Sequence, residues 1–69
     1  MSTHSTYVAY RIDRWDANGY SVIEHVASAE DLMVARAAYE AACKRWPGEM
    51  ITLRQGVRVL EDSRKTRLA

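Results

Sequence analysis

MITLRQGVRVLE, residues 50–61, is the stretch on which the fold turns. As one strand it would carry a glycine that weakens its centre. As MITLR and VRVLE joined by a two-residue Gln55-Gly56 turn, it is a β-hairpin that adds a fourth strand. Turn chemistry favours the hairpin, since glycine takes positive φ without a steric penalty. A phosphate-cradling loop would need further glycines and a helix starting just after them, and neither follows Gly56. The glycine is therefore expected to be structural, even though Arg54 and Arg58 flank it.

Working back toward the N-terminus, Pro47-Gly48 stops what precedes it, because proline cannot continue a helical ladder and glycine lets the chain turn. Leu32, Ala35, Tyr39, Ala42, Cys43 and Trp46 recur three and four apart and predict a helix with one apolar stripe ending near Trp46. Ser28, Ala29, Glu30 and Asp31 have capping-box spacing with Asp replacing Glu. They place its start at Ser28, with two carboxylates in the first turn. Before it, YVAYRIDRW alternates Val8, Tyr10 and Ile12 with Ala9, Arg11 and Asp13, which predicts a strand. DANG, a hairpin signal, leads to a second strand, YSVIEHVA. A two- or four-residue loop sets Ile23, His25 and Ala27 beside Tyr10 and Ile12. A three-residue loop with Gly19 in a bulge sets Val22 and Val26 there and turns Glu24 inward. The second register buries two valines and is preferred.

The expected architecture is α+β: an antiparallel three- or four-stranded sheet with one helix packed on one face, in the order ββαβ(β). The domain is expected over residues 7–61, with a polar tail at 1–6 and a basic, fraying tail at 62–69. The leucine, glutamine-glycine, arginine and valine of LRQGVRV, following an Asp-x-Asn-Gly turn and an alanine-rich helix, resemble the C-terminal strands of a group of small uncharacterised bacterial proteins. That resemblance implies no activity.

At 69 residues, with 48% hydrophobic and 28% charged residues, the chain has a globular composition. A domain this small buries only about 60% of its unfolded surface. A lone Cys43 closes no internal disulfide, which suits a reducing, cytoplasmic setting. Neither a signal peptide nor a long apolar span is legible, so no membrane is expected. Net charge is +1, distributed unevenly: residues 1–53 carry five Lys/Arg against seven Asp/Glu, and residues 54–69 carry five against two.

Arg54, Arg58, Arg64, Lys65 and Arg67 are therefore the candidate contacts for a partner or nucleic acid, since guanidinium and ammonium groups bind phosphates. Trp15 joins them as an aromatic beside a turn, where a large ring is hard to bury. Trp46, at the end of the helical stripe, reads as core. Tyr7, Trp15, Tyr20 or Ile23 are expected on or near the sheet's uncovered face, making it apolar enough for a partner to cover. His25 and Cys43 are the chemically versatile pair, but too few ligands accompany them for zinc, and Cys43 lies on the buried stripe. No catalytic, cofactor or metal residue is assigned. The expected function is a non-enzymatic interaction module, self-associating as a homodimer or binding another protein, with small nucleic-acid binder as the alternative.

Overall fold

The computed structural model describes residues 8–65. Its elements are β1 (Tyr10–Trp15), β2 (Val22–Ala29), α1 (Leu32–Arg45), β3 (Ile51–Gln55) and β4 (Arg58–Asp62). All four strands pair antiparallel in one open sheet, ordered β2-β1-β3-β4. The expected α+β architecture is present with the second hairpin formed, and α1 lies over β1, β2 and β3.

The core follows from the two periodicities meeting. Ile12 of β1 and Ile51 and Leu53 of β3 point to one face of the sheet, where Ala35, Tyr39 and Ala42 of α1 close over them. Tyr10, Val26, Ala27, Ala29, Ala38, Cys43, Trp46 and Leu60 pack around this centre. Small helix residues let α1 lie close to the sheet, and the helical stripe is the predicted one except at Leu32, which is more than a third exposed.

Four local expectations shift. The helix is capped by Asp31 rather than Ser28: Asp31 has extended backbone, and its carboxylate accepts from the Val34 N–H at 3.0 Å. Ser28 stays in β2 opposite Arg11, so Glu30 and Asp31 precede the first turn. The second hairpin turns at Gly56-Val57, one residue later than expected, because Gln55 pairs with Arg58. Gly56 thereby takes the first central position with φ +60°, which two-residue hairpin turns require.

The first hairpin differs most. Asp16 N–H donates to Ser21 O and Gly19 N–H to Asp16 O, so residues 17–20 form a four-residue loop with Gly19 at φ +76°. Ala27, not a valine, stands opposite Ile12. A bulge then inserts Val26, so His25 opposes Asp13 and Glu24 opposes Arg14; a second bulge inserts Ile23. The preferred three-residue loop is thus corrected, although Val26 does pack on the core. Two bulges let β2 offer Val26, Ala27 and Ala29 to the helix side, which no single regular register does.

The pairing runs past residue 61, the expected end of the domain. β4 continues to Asp62, and Ser63 extends the pairing: Ser63 N–H donates to Ile51 O, Ile51 N–H to Ser63 Oγ, and Ser63 Oγ to Glu49 O. Lys65 N–H then closes a turn on Asp62 O. Residues 1–7 and Arg67 lie outside the described residues.

Candidate functional site: the Asp13 cluster on the open sheet face

Strand alternation sends Arg11, Asp13 and Trp15 of β1, with Thr52 and Arg54 of β3, to the face away from α1. Pairing sets Arg11 opposite Arg54 and Asp13 opposite Thr52. Two arginines facing each other across a ladder repel unless an anion lies between them. Asp13 supplies it. Its Oδ2 accepts from Arg11 Nε at 2.9 Å and Arg54 Nη2 at 2.8 Å; its Oδ1 accepts from Arg11 Nη2 at 3.1 Å and stands 3.0 Å from His25 Nδ1. Arg54 also stacks over Trp15, 5.2 Å from the ring centre, and Trp15 Nε1 donates to Thr52 Oγ1 at 2.8 Å.

Asp13 is 0% exposed although it belongs to the sheet's uncovered face, because these side chains form its lid. Burial by itself pushes its carboxyl up; the hydrogen bonds from Arg11, Arg54 and His25 outweigh that and hold it at about 2. The cluster has one imperfection: Arg54 Nε is buried without a partner.

An ionised Asp13 also sets the tautomer of His25. A carboxylate can only accept, so Nδ1 must carry the hydrogen it donates, and in the neutral ring Nε2 is left as an acceptor. Ser28 Oγ lies 3.1 Å from that Nε2. In that neutral ring the Ser28 hydroxyl donates to His25, so serine, imidazole and carboxylate form one hydrogen-bonded chain.

The expected site residues do not converge. Arg54 and Trp15 meet in this cluster, but Arg54 is committed to Asp13 and covers the ring it would share with a base. Arg58 follows the Gly56-Val57 turn, whereas Arg64 and Lys65 lie past the other end of β4, which spans about 13 Å. Arg64 Nη1 donates to Ala17 O at 2.9 Å, tying the C-terminal turn to the first hairpin loop. Trp46 is half-buried, with the guanidiniums of Arg14 and Arg45 over its ring at 4.9 and 5.2 Å. His25 and Cys43 are on opposite sides of the sheet, and burial pushes the Cys43 thiol up, away from a reactive thiolate. Among the described residues no group of three or more His, Cys, Asp or Glu could hold a metal, and no helix is long and apolar enough to cross a membrane.

The open face is thus more polar at its centre than expected. Five exposed apolar side chains gather instead at one end of the sheet, whereas Tyr20, Val22 and Ile23 are exposed at the first hairpin, as expected for Tyr20 and Ile23, and Val59 on β4. Tyr10 opens β1 between Ala29 of β2 and Gln55 of β3, so this edge gathers Val8, the first turn of α1 and the Gly56-Val57 turn. Val8, Leu32, Met33, Val34 and Val57 are all exposed there, Met33 at 77% and Val57 at 96%. At the opposite end a groove of about 560 Å³ runs between α1 and the C-terminal turn. Its charged lining is already paired, Glu49 with Arg14 and Arg64 with Ala17 O. Comparison of the chain with family models, curated proteins and solved structures finds no match.

Proposed function

We propose that this chain is a protein-interaction module that self-associates through the apolar end of its sheet. The observation that carries this reading is the gathering of Val8, Leu32, Met33, Val34 and Val57, exposed, at one edge of a very small domain. Burying them in a partner supplies apolar contact that a core of one helix and four short strands lacks. A second copy suits the charges. Across this end the acidic Glu30 and Asp31 lie on the β2 side and the basic Arg58 on the β4 side. A two-fold axis through the middle sets each acidic side against the partner's basic side.

The other routes to a dimer are less favourable. β2 carries two bulges and β4 one, and bulged edges resist strand pairing. Two copies of the open face would bring four arginines together. The nucleic-acid reading has less support, because its basic residues are dispersed and partly committed.

Sedimentation equilibrium tests the proposal. The expected dissociation constant is about 10–500 μM, or about −7 to −4.5 kcal/mol, and Met33→Glu with Val57→Glu, which sets like charges against each other across the two-fold axis, should abolish association while leaving the fold unchanged. A chain that stays monomeric toward millimolar concentration, or a double variant that associates equally well, overturns it.

A further inference from the structure

The Ser28, His25 and Asp13 line does not arise from a regular strand. Residues three apart on a strand point to opposite faces. His25 and Ser28 share a face only because the bulge inserts Val26 between them, leaving His25 opposite Asp13 and Ser28 opposite Arg11, both on the open side. The bulge thus aims an imidazole at a hydroxyl and the hydroxyl toward solvent.

We propose that Ser28 is an activated nucleophile that takes an acyl group from a small activated ester or thioester, with His25 as its general base. The distances are 3.1 Å from Ser28 Oγ to His25 Nε2 and 3.0 Å from His25 Nδ1 to Asp13 Oδ1, within reach for proton transfer and for holding the base. Ser28 is exposed and the His25 side chain is 43% exposed, so an acyl donor can approach from solvent. Asp13 is a positioning residue: ionised at neutral pH, it keeps Nδ1 protonated and Nε2 open. Arg11, directly across from Ser28, is the neighbouring cation for charge developing on the carbonyl oxygen.

In the step, Ser28 Oγ bonds to the acyl carbon as its proton passes to His25 Nε2. The bond from that carbon to the alcohol or thiol breaks, and the leaving group departs with the proton returned by His25. The product is an O-acyl serine, with nothing oxidised or reduced; water, deprotonated by the same base, releases the acid. Arg11 and Arg54 draw on the same carboxylate as His25, so acylation is slow, and an open sheet face selects small donors.

The probe is p-nitrophenyl acetate with the full chain, followed by peptide mass spectrometry and nitrophenol release. The expected result is acetyl on Ser28 ahead of Ser21 and Ser63, lost in Ser28→Ala and slowed at least about 100-fold in His25→Asn. Acetylation of Ser28 no faster than of the other serines, or an unchanged rate in folded His25→Asn, overturns the proposal. If His25→Asn does not fold, the unmodified chain decides. Its acetylation rate must follow the ring titration of His25 seen by NMR, in the field of Asp13 and Arg11 from β1 and Arg54 from β3. A rate indifferent to that titration refutes the assignment.

Discussion

Asp13→Asn is the sharpest perturbation of this molecule. A carboxyl held at about 2 in the fold instead of its ordinary 3.8 favours folding by about 2 kcal/mol when ionised. The asparagine keeps the shape but brings its own N–H donors against Arg11, Arg54 and His25, which adds a further cost of about 1 kcal/mol. Arg11 is 44% exposed and Arg54 23%, so both recover some water, and the total stays at the low end of a broken buried pair, about 3 kcal/mol. A chain of this length has a stability of about 3.5–10 kcal/mol in all. Urea unfolding, followed through Trp15 and Trp46 fluorescence, should show a midpoint roughly 3 M lower for the variant, with a slope near 1 kcal/mol/M. The pH dependence makes the test specific. Because the folded-state value lies below the unfolded one, the stabilisation is complete above about pH 5 and drains as pH falls through 3.8 toward 2. The gap between the parent and the variant must narrow over that range, leaving only the part due to the asparagine's own donors. A midpoint change under about 1 M at neutral pH, or a gap as wide at pH 2 as at pH 7, refutes the reasoning.

Asp31→Ala should lower stability by about 1 kcal/mol in thermal unfolding followed by circular dichroism, through loss of the Val34 cap. Ser28→Ala should stay within about 0.5 kcal/mol, and the reverse ranking would restore the cap to Ser28. Gly56→Ala adds a methyl that meets nothing within 4 Å, so its cost is purely that of φ +60°: about 1 kcal/mol, or a melting point about 4–8 °C lower. An unchanged melting point would mean that the turn can reposition.

Much of the fold was legible because its signals are local. Alternation marks β1, spacings of three and four mark α1, and a glycine between two short apolar stretches marks the second hairpin. What escaped depends on relations between elements. Bulges at Val26 and Ile23 are set by how β2 must meet both β1 and the helix, and neither position differs in composition from its neighbours. The cap moved from Ser28 to Asp31 because β2 keeps pairing through Ala29, and a ladder hydrogen bond outcompetes a local cap. Asp13 escaped for a different reason. An aspartate at an alternating strand position reads as a solvated residue, and it takes partners from other strands, such as Arg54, 41 residues away, to make it a buried one. A partial clue was present: Arg11, Asp13 and Trp15 occupy every second position, so alternation alone assigns them one face. Arg54 and Trp15 were singled out as contacts, whereas Asp13, the group that organises them, was not.

The strand order has a consequence for how the chain assembles. Each hairpin closes contacts between near neighbours, from Trp15 with Val22 to Tyr10 with Ala29, and Gln55 with Arg58. The β1 and β3 pairing runs from Arg14 with Ile51 to Tyr10 with Gln55, separations of 37 to 45 residues. Closing a loop of about 40 residues rather than about 10 costs about 1.2 kcal/mol more in chain entropy. Two quickly formed hairpins are thus joined along one slow seam, which sets the folding rate. Asp13 lies on that seam, held by Arg11 and His25 from the first hairpin and by Arg54 from the second. The carboxylate that stabilises the finished sheet is also the group that rewards the chain for closing it in register.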